Sequence, residues 1–443
     1  MGGLRGSRAS RALVAMALVV AAMTSVAAFG VAHAQTSDPG LSDDSVKIGY
    51  ISSESGPAGT DTAKKACQAR VDAQNVEGGV NGRKLDVEYV DDQSSGANLT
   101  AAQDLVKNRG VFAVVDNSAL AFLAWRYLKD AGVPMVGAGY DGTYYYEKGN
   151  ENIISALGSS SPVPGLTYDT ATRVMKQLGA TKIAAVGYGI SPSSSENAKA
   201  TETYGAKAQG LKGVYLNNTL DFGSTDVGAV VLGIKNSGAD GSYLPLGADA
   251  NFAIVQGLQQ NNVNVKVNVL GTGYSQALLD QPIVKTIKPT DVMFTGYRPI
   301  ELGGKAVKQL QANLKNYAGL TGVPDYGTYT GYIACDLMIH GLETAGKHPS
   351  RQGFIDGIRK GGPYDGAGLL CMPLDFSYES FGKINKTSCT WFVAVKDGKF
   401  TVLNHGKPYT GKLVGDPQLL AEYENNGGGV ATTTASTAPP VGP

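Results

Sequence analysis

Histidine and cysteine are scarce in this chain: four of each in 443 residues. No C-x-x-C pair occurs, and after the first 34 residues only His340, His348 and His405 remain. That donor set is poor for zinc, and no metal or cofactor is expected. Charge is also low, at 17% of residues against the usual quarter or so. Formal net charge is zero, and no basic excess points to nucleic acid or an anionic membrane surface. Beyond the N-terminus no run of 18 consecutive apolar residues exists, so the body is expected to be soluble. Gly56-Pro57-Ala58-Gly59 is not a phosphate loop, because no Gly-Lys-Ser/Thr follows. The stretch "GYSQA" lacks the second glycine of a hydrolase nucleophile elbow. An exported hydrolase is thus a weak reading, and no catalytic residue is assigned.

The N-terminus carries Arg5, Arg8 and Arg11, an uncharged apolar run over 12–32, and Ala32-His33-Ala34 before Gln35. This pattern predicts a secretory signal peptide over 1–34 and an extracytoplasmic protein. An uncleaved N-terminal anchor is the alternative, and no cysteine sits near the cleavage site for lipid attachment. Removing 1–34 takes away three of 38 basic residues and no acid, leaving net −3. In an exported chain an even cysteine count permits disulfides. Cys371 and Cys389 are the expected pair because both flank one predicted strand pair.

From Val46 onward strands alternate with helices of 10 to 15 residues, the rhythm of βαβ units and parallel sheets. The reading places helices over 60–76, 99–109 and 119–131 between strands at "VKIGYIS", "KLDVEYVDD", 111–115 and 133–136. A second series follows a Tyr- and Gly-rich crossover over 139–158. It opens on "NIISAL" and continues through helix 168–178, "KIAAVGY", helix 196–209, "VGAVVLGIKNSG", "GSYLPLG", "NFAIVQGLQQN" and "VKVNVLG". The chain 443 residues long therefore predicts an α/β protein of two lobes. Late helices are expected over 304–319, 328–346 and 352–360, the second of them buried. "VAVKDGKFTV" is read as a hairpin around Asp397-Gly398. The Gly/Thr/Pro-rich tail, 425–443, is expected to be disordered.

"VKIGYISSESGPAGTDTAKKACQARVDAQNVEGGVNGRKLDVEYVDDQSSGANLTAAQDLV" carries Ile48-Gly49, Ser55-Gly56-Pro57-Ala58, "GGVNGRK" and Asp91-Asp92. In these features, and in "AGVPMVG" further on, the chain resembles type I periplasmic binding proteins of the branched-chain amino acid (Leu/Ile/Val) family. The resemblance spans about 46–403. It implies two Rossmann-like lobes with parallel sheets, joined by three crossovers: 44–138 with 298–364, and 139–297 with 365–410. It also implies a monomer that captures a solute in the interlobe cleft for an ABC permease in the membrane, closing by a hinge, with no cofactor. A ligand-sensing protein of the same fold, acting through a signalling partner, is the rival. Cys67 and Cys335 would both lie on lobe-one helices, placed for a second disulfide.

Ligands in open α/β sheets sit beyond the carboxyl ends of strands, where helix N-termini point. The expected ligand tips are 53–59, with Ser55; Asp116 to Ser118, with Asn117 and Ser118; Gly139, Tyr140 and Asp141; and Tyr188 onward. Asp116-Asn117-Ser118 is read as a helix cap that also serves ligand. The family uses a hydroxyl residue after the third strand, which Ser118 matches, and a Tyr and an acid in lobe two, which Tyr188 and Asp249 match. Where the family has a small hydroxyl segment, this chain has four tyrosines, Tyr140, Tyr144, Tyr145 and Tyr146. They predict an aromatic-walled cleft and a small amino-acid-like or aromatic carboxylate as ligand. Asp91-Asp92 is read as a solvated turn.

Overall fold

A computed structural model of the chain describes residues 1–2, 38–56, 59–137, 142–157, 163–426 and 428. All but the first two residues of the expected signal peptide, and all but a few residues of the expected disordered tail, lie outside the described residues. The elements below belong to the compact unit that begins at Asp38. Among the described residues no helix is long and apolar enough to cross a membrane.

The first sheet is parallel: β1 (Ser45–Ser52), β2 (Lys84–Asp91), β3 (Ala113–Asn117), β4 (Met135–Gly137) and β5 (Ile153–Ser155), in the order β2-β1-β3-β4-β5. Every residue of β3 is buried, as a central parallel strand covered on both faces requires. β5 is the "NIISAL" strand. Read in sequence it starts the second series, but it pairs with β4 and completes the first sheet. Proximity decides this: a short crossover cannot be assigned to either sheet by pattern alone.

β6 (Leu166–Tyr168) belongs to a small sheet described below. β7 (Lys182–Tyr188), β8 (Lys212–Leu220), β9 (Gly241–Leu244), β10 (Val267–Leu270) and β11 (Asp291–Phe294) run parallel in a second sheet. β12 (Thr387–Thr390) precedes the hairpin β13 (Phe392–Lys396) and β14 (Lys399–Val402), which adds antiparallel to β11. The full order is β14-β13-β11-β10-β9-β7-β8. The hairpin turn is the expected one, with Asp397 and Gly398 at φ of 53° and 72°, the left-handed pair that a two-residue connection favours. β15 (Tyr409–Gly415) lies between β12 and β6 in a three-stranded antiparallel sheet.

Helices follow the apolar periodicity with two differences. The helix expected over 119–131 is broken into a 3-10 turn, Ala121–Leu123, and a short helix, Trp125–Asp130. The helix expected over 196–209 starts earlier, at Pro192, because Ser191 caps it and proline fits the first turn. Strand β8 has no signal in the sequence pattern, since the two asparagines of "KGVYLNNTL" look like loop; on a sheet edge, half-buried, they are tolerated.

Helix Thr62–Val76 packs its alanine face on helix Tyr326–Ala345, which is buried from Thr328 to Ile339. The two backbones touch so closely that a Cβ at Gly331 would lie 2.1 Å from the Ala63 carbonyl oxygen. Cys67 and Cys335 bond across this contact, Cα atoms 5.3 Å apart. Arg70 Nε also donates to Asp336 at 2.6 Å there. The second bridge joins Cys371 to Cys389. Both expected disulfides are present.

Candidate functional site

A cavity of about 810 Å³ opens between the carboxyl ends of the two large sheets. From the first sheet come Ser52 and Ser53 behind β1, Gly56, Gly59 and Thr60 in the following loop, and Asn117 at the tip of β3. From the second come Tyr188 at the tip of β7, Pro245 to Asp249 after β9, and Gly271 to Ser275 after β10. Helix Tyr326–Ala345 contributes Asp325, Tyr326 and Thr330.

Three helix starts reach this wall, each fixed locally. Ser191 accepts from the Ser194 N–H and starts helix Pro192–Ala200; Gly247 starts Ala248–Gln260; Asp325 accepts from the Thr328 N–H at 2.6 Å. Their dipoles favour negative charge by about 0.3–2 kcal/mol each. Among the described lining residues there is no Lys, Arg or His, and the acids are Asp249 and Asp325. Asp325 is occupied, since it also accepts from the hydroxyls of Thr62 and Thr328. Asp249 is exposed at the cavity and makes no such bond.

Asn117 is the most informative lining residue. Its Nδ2 donates to Thr330 Oγ1 at 3.3 Å and to the Tyr50 hydroxyl at 3.4 Å. The Thr330 hydroxyl proton goes to the Gly327 carbonyl at 3.1 Å, so toward Asn117 it can only accept. That fixes the amide orientation. Oδ1 of Asn117 is then a buried acceptor without a protein partner, and so is the neighbouring Ser52 Oγ. A buried unpaired acceptor costs about 1–3 kcal/mol, and a ligand N–H or O–H would satisfy it.

Ser118, the expected ligand hydroxyl, does not line the cavity: it is fully buried. Its Oγ bonds to Asp92, and it receives the Leu120 N–H at 2.9 Å. Ser53, which donates to the same Asp92 at 2.9 Å, takes the place on the wall. Asp92 is itself fully buried, and Asn98 donates to both Asp92 and Asp116. The reading of Asp92 as a solvated turn is thus wrong: a hydrogen-bonded knot holds it beneath the β1 and β3 tips. Ser55 is exposed and donates to Asp91 at 2.6 Å, shaping the loop instead of lining the cavity. Gly139, Tyr140 and Asp141 lie outside the described residues.

Tyr188 does line the cavity; its hydroxyl accepts the Gly247 N–H at 3.1 Å and its ring meets Phe222 edge-on at 5.1 Å. Burial pushes this phenol above its usual value. The described part of the cavity has an aromatic wall, made by residues other than Tyr144, Tyr145 and Tyr146; Tyr140 lies outside the described residues. Tyr144 and Tyr145 are buried behind the first sheet, where Tyr144 stacks on Trp125 at 4.9 Å. The wall includes Tyr188, Phe222, Tyr243, Phe252, Tyr274 and Tyr326. Sequence reasoning missed most of these, because they come singly from strands, helices and loops far apart in the chain, with no clustering to single them out.

Residues 45–399 match the model of a family described as periplasmic binding protein. Comparison with curated protein sequences returns no match. Among solved structures, the chain is similar to a fatty acid ABC transporter substrate-binding protein from Thermomonospora curvata. Identity is 18%, the match covers 83% of this chain and 93% of that one, and the TM-score is 0.66. It is similar to a branched-chain amino acid transporter substrate-binding protein from Streptococcus pneumoniae in complex with isoleucine, at 20% identity, 81% and 99% coverage and TM-score 0.64. A solute-binding protein from R. palustris in complex with 4-hydroxybenzoate is similar at 18% identity, 84% and 96% coverage and TM-score 0.63. With the sheet order and cavity placement above, these matches show that the chain belongs to the periplasmic binding protein family and has its type I fold.

Proposed function

We propose that this protein is an exported solute-binding protein that captures a small amino-acid-like carboxylate in its cavity and delivers it to an ABC permease, without catalysis. One observation carries the reading: Asn117, which holds a buried acceptor oxygen with no partner, lines a cavity whose other resources are helix N-termini. A zwitterion suits that pairing. Its ammonium donates to Asn117 Oδ1 and is attracted by Asp249, and its carboxylate accepts from N–H groups at the helix starts near Ser191 and Gly247. No lysine or arginine is needed.

An aromatic carboxylate is the second reading, favoured by the aromatic wall and by the 4-hydroxybenzoate complex of the R. palustris protein. A hydroxyl on its ring would supply the donor that Asn117 asks for. The lobes are then 44–138 with 298–364 and 139–297 with 365–410, except that β5 goes with the first. Closure brings their tips together on the ligand, a hinge motion. Isothermal titration of the purified protein against amino acids and hydroxybenzoates tests the reading. Binding of either class supports it, and no heat with any member overturns it. Uptake through a reconstituted permease separates delivery from sensing.

A further inference from the structure

The two disulfides sit in opposite surroundings. Cys67 and Cys335 are 0% and 3% exposed, closed between helices Thr62–Val76 and Tyr326–Ala345, whose backbones touch beside them. Cys371 and Cys389 are both half-buried, and both line the cavity with Leu370, Met372 and Ser388. Exchange requires a thiolate to reach a sulfur. Solvent in the cavity reaches the residues of the second bridge, whereas the first opens only if two packed helices part.

The two ends of the cavity bridge are held unequally. Cys389 belongs to β12, where it pairs with Thr410 of β15, and the adjacent Ser388 hydroxyl bonds the Thr170 hydroxyl at 2.7 Å. Cys371 lies outside any strand or helix. Upstream of it, the Leu369 carbonyl accepts from the Arg298 N–H at 2.8 Å. Downstream, Leu374 and Tyr364 exchange backbone bonds at 2.7 and 2.9 Å. Between those anchors Leu370, Cys371 and Met372 lie on the cavity wall, tied to β12 through the bridge. The bridge spans 18 residues, against 268 for the other, so opening it releases less chain.

We infer that Cys371–Cys389 is a thiol-exchange site: a dithiol reductant opens it in the folded protein while Cys67–Cys335 stays closed, and its opening loosens the cavity wall at Leu370 to Met372. One thiolate of the reductant attacks a bridge sulfur. The S–S bond breaks, and the other sulfur leaves as a thiolate and takes up a proton. The second thiol of the reductant then resolves the mixed disulfide. Two electrons pass in all: the bridge becomes two thiols and the dithiol becomes a disulfide. The loosened wall belongs to the cavity read above as the solute site, but the exchange itself does not depend on that reading.

The test uses the full chain with both bridges formed. Dithiothreitol is added under native conditions, free thiols are trapped with iodoacetamide over time, and labelled peptides are followed by mass spectrometry. The expected result is labelling of Cys371 and Cys389 roughly tenfold faster, or more, than of Cys67 and Cys335. Hydrogen exchange on protein reduced at the cavity bridge alone should then quicken over 366–374 and stay slow in helix Tyr326–Ala345. Three results overturn the proposal: equal labelling rates for the two pairs, labelling only where circular dichroism shows the fold lost, or unchanged exchange over 366–374 after reduction.

Discussion

Asn117 and Ser118 are adjacent, yet they face opposite fates. Ser118 is consumed by the buried Asp92 knot, and Asn117 lines the cavity with a buried oxygen left unpaired. The β3 tip could be recognised in the sequence as a ligand-bearing strand end. Which of its three polar side chains turns outward could not, because that depends on Asp92 and Thr330, 25 and 213 residues away from Asn117. Replacing the acceptor should cost affinity but little fold stability. N117A is expected to weaken ligand binding about 5- to 150-fold, the equivalent of about 1–3 kcal/mol, with calorimetric Tm within a few degrees of wild type. A collapse of Tm with no separable effect on affinity would contradict a ligand-facing role.

Asp240 gives the acid-stability prediction. Burial raises its pKa, but bonds from Lys266 and from the N–H groups of Lys182 and Thr181 outweigh that and hold it well below the usual carboxylate range. The folded value is thus depressed. Its contribution is complete above the ordinary value of ~3.9 and is lost as pH falls below it. D240N should melt below wild type at pH 7, and the gap should close toward pH 3. Thermal scans across that range check the sign.

At the scale of elements, the two disulfides should separate stability from binding. Cys67–Cys335 closes 268 residues and Cys371–Cys389 closes 18. Chain entropy alone then assigns about 5–6 kcal/mol to the first and about 3 kcal/mol to the second, as upper values. The C67A/C335A pair should therefore lower Tm more than C371A/C389A in scanning calorimetry. Only the latter should also change ligand affinity, because only that bridge lines the cavity.

The βαβ rhythm, the buried late helix and the Asp397-Gly398 hairpin were legible because each is set by local pattern. The errors share one cause. "NIISAL" joined the other sheet, the 119–131 helix broke over the Asp116–Ser118 knot, and Tyr144 turned inward onto Trp125 with Tyr145 stacked on it. All three were decided by contacts between distant segments.

For the whole molecule, family and fold follow from a match spanning 45–399 and a cavity at the tips of two parallel sheets. Capture by hinge closure adds an expectation about shape: small-angle scattering should show a smaller radius of gyration with ligand than without it. An unchanged radius at saturation would leave a site that binds without closing.

The most direct test of solute capture is the thermal shift of the purified protein against straight-chain amino acids and hydroxybenzoates. At 100 times the dissociation constant a true ligand adds about 2.7 kcal/mol to stability. The account predicts a clear rise in Tm with at least one donor-bearing carboxylate, and the loss of most of that rise in N117A. A flat response across both classes, or a rise that N117A leaves intact, would contradict it.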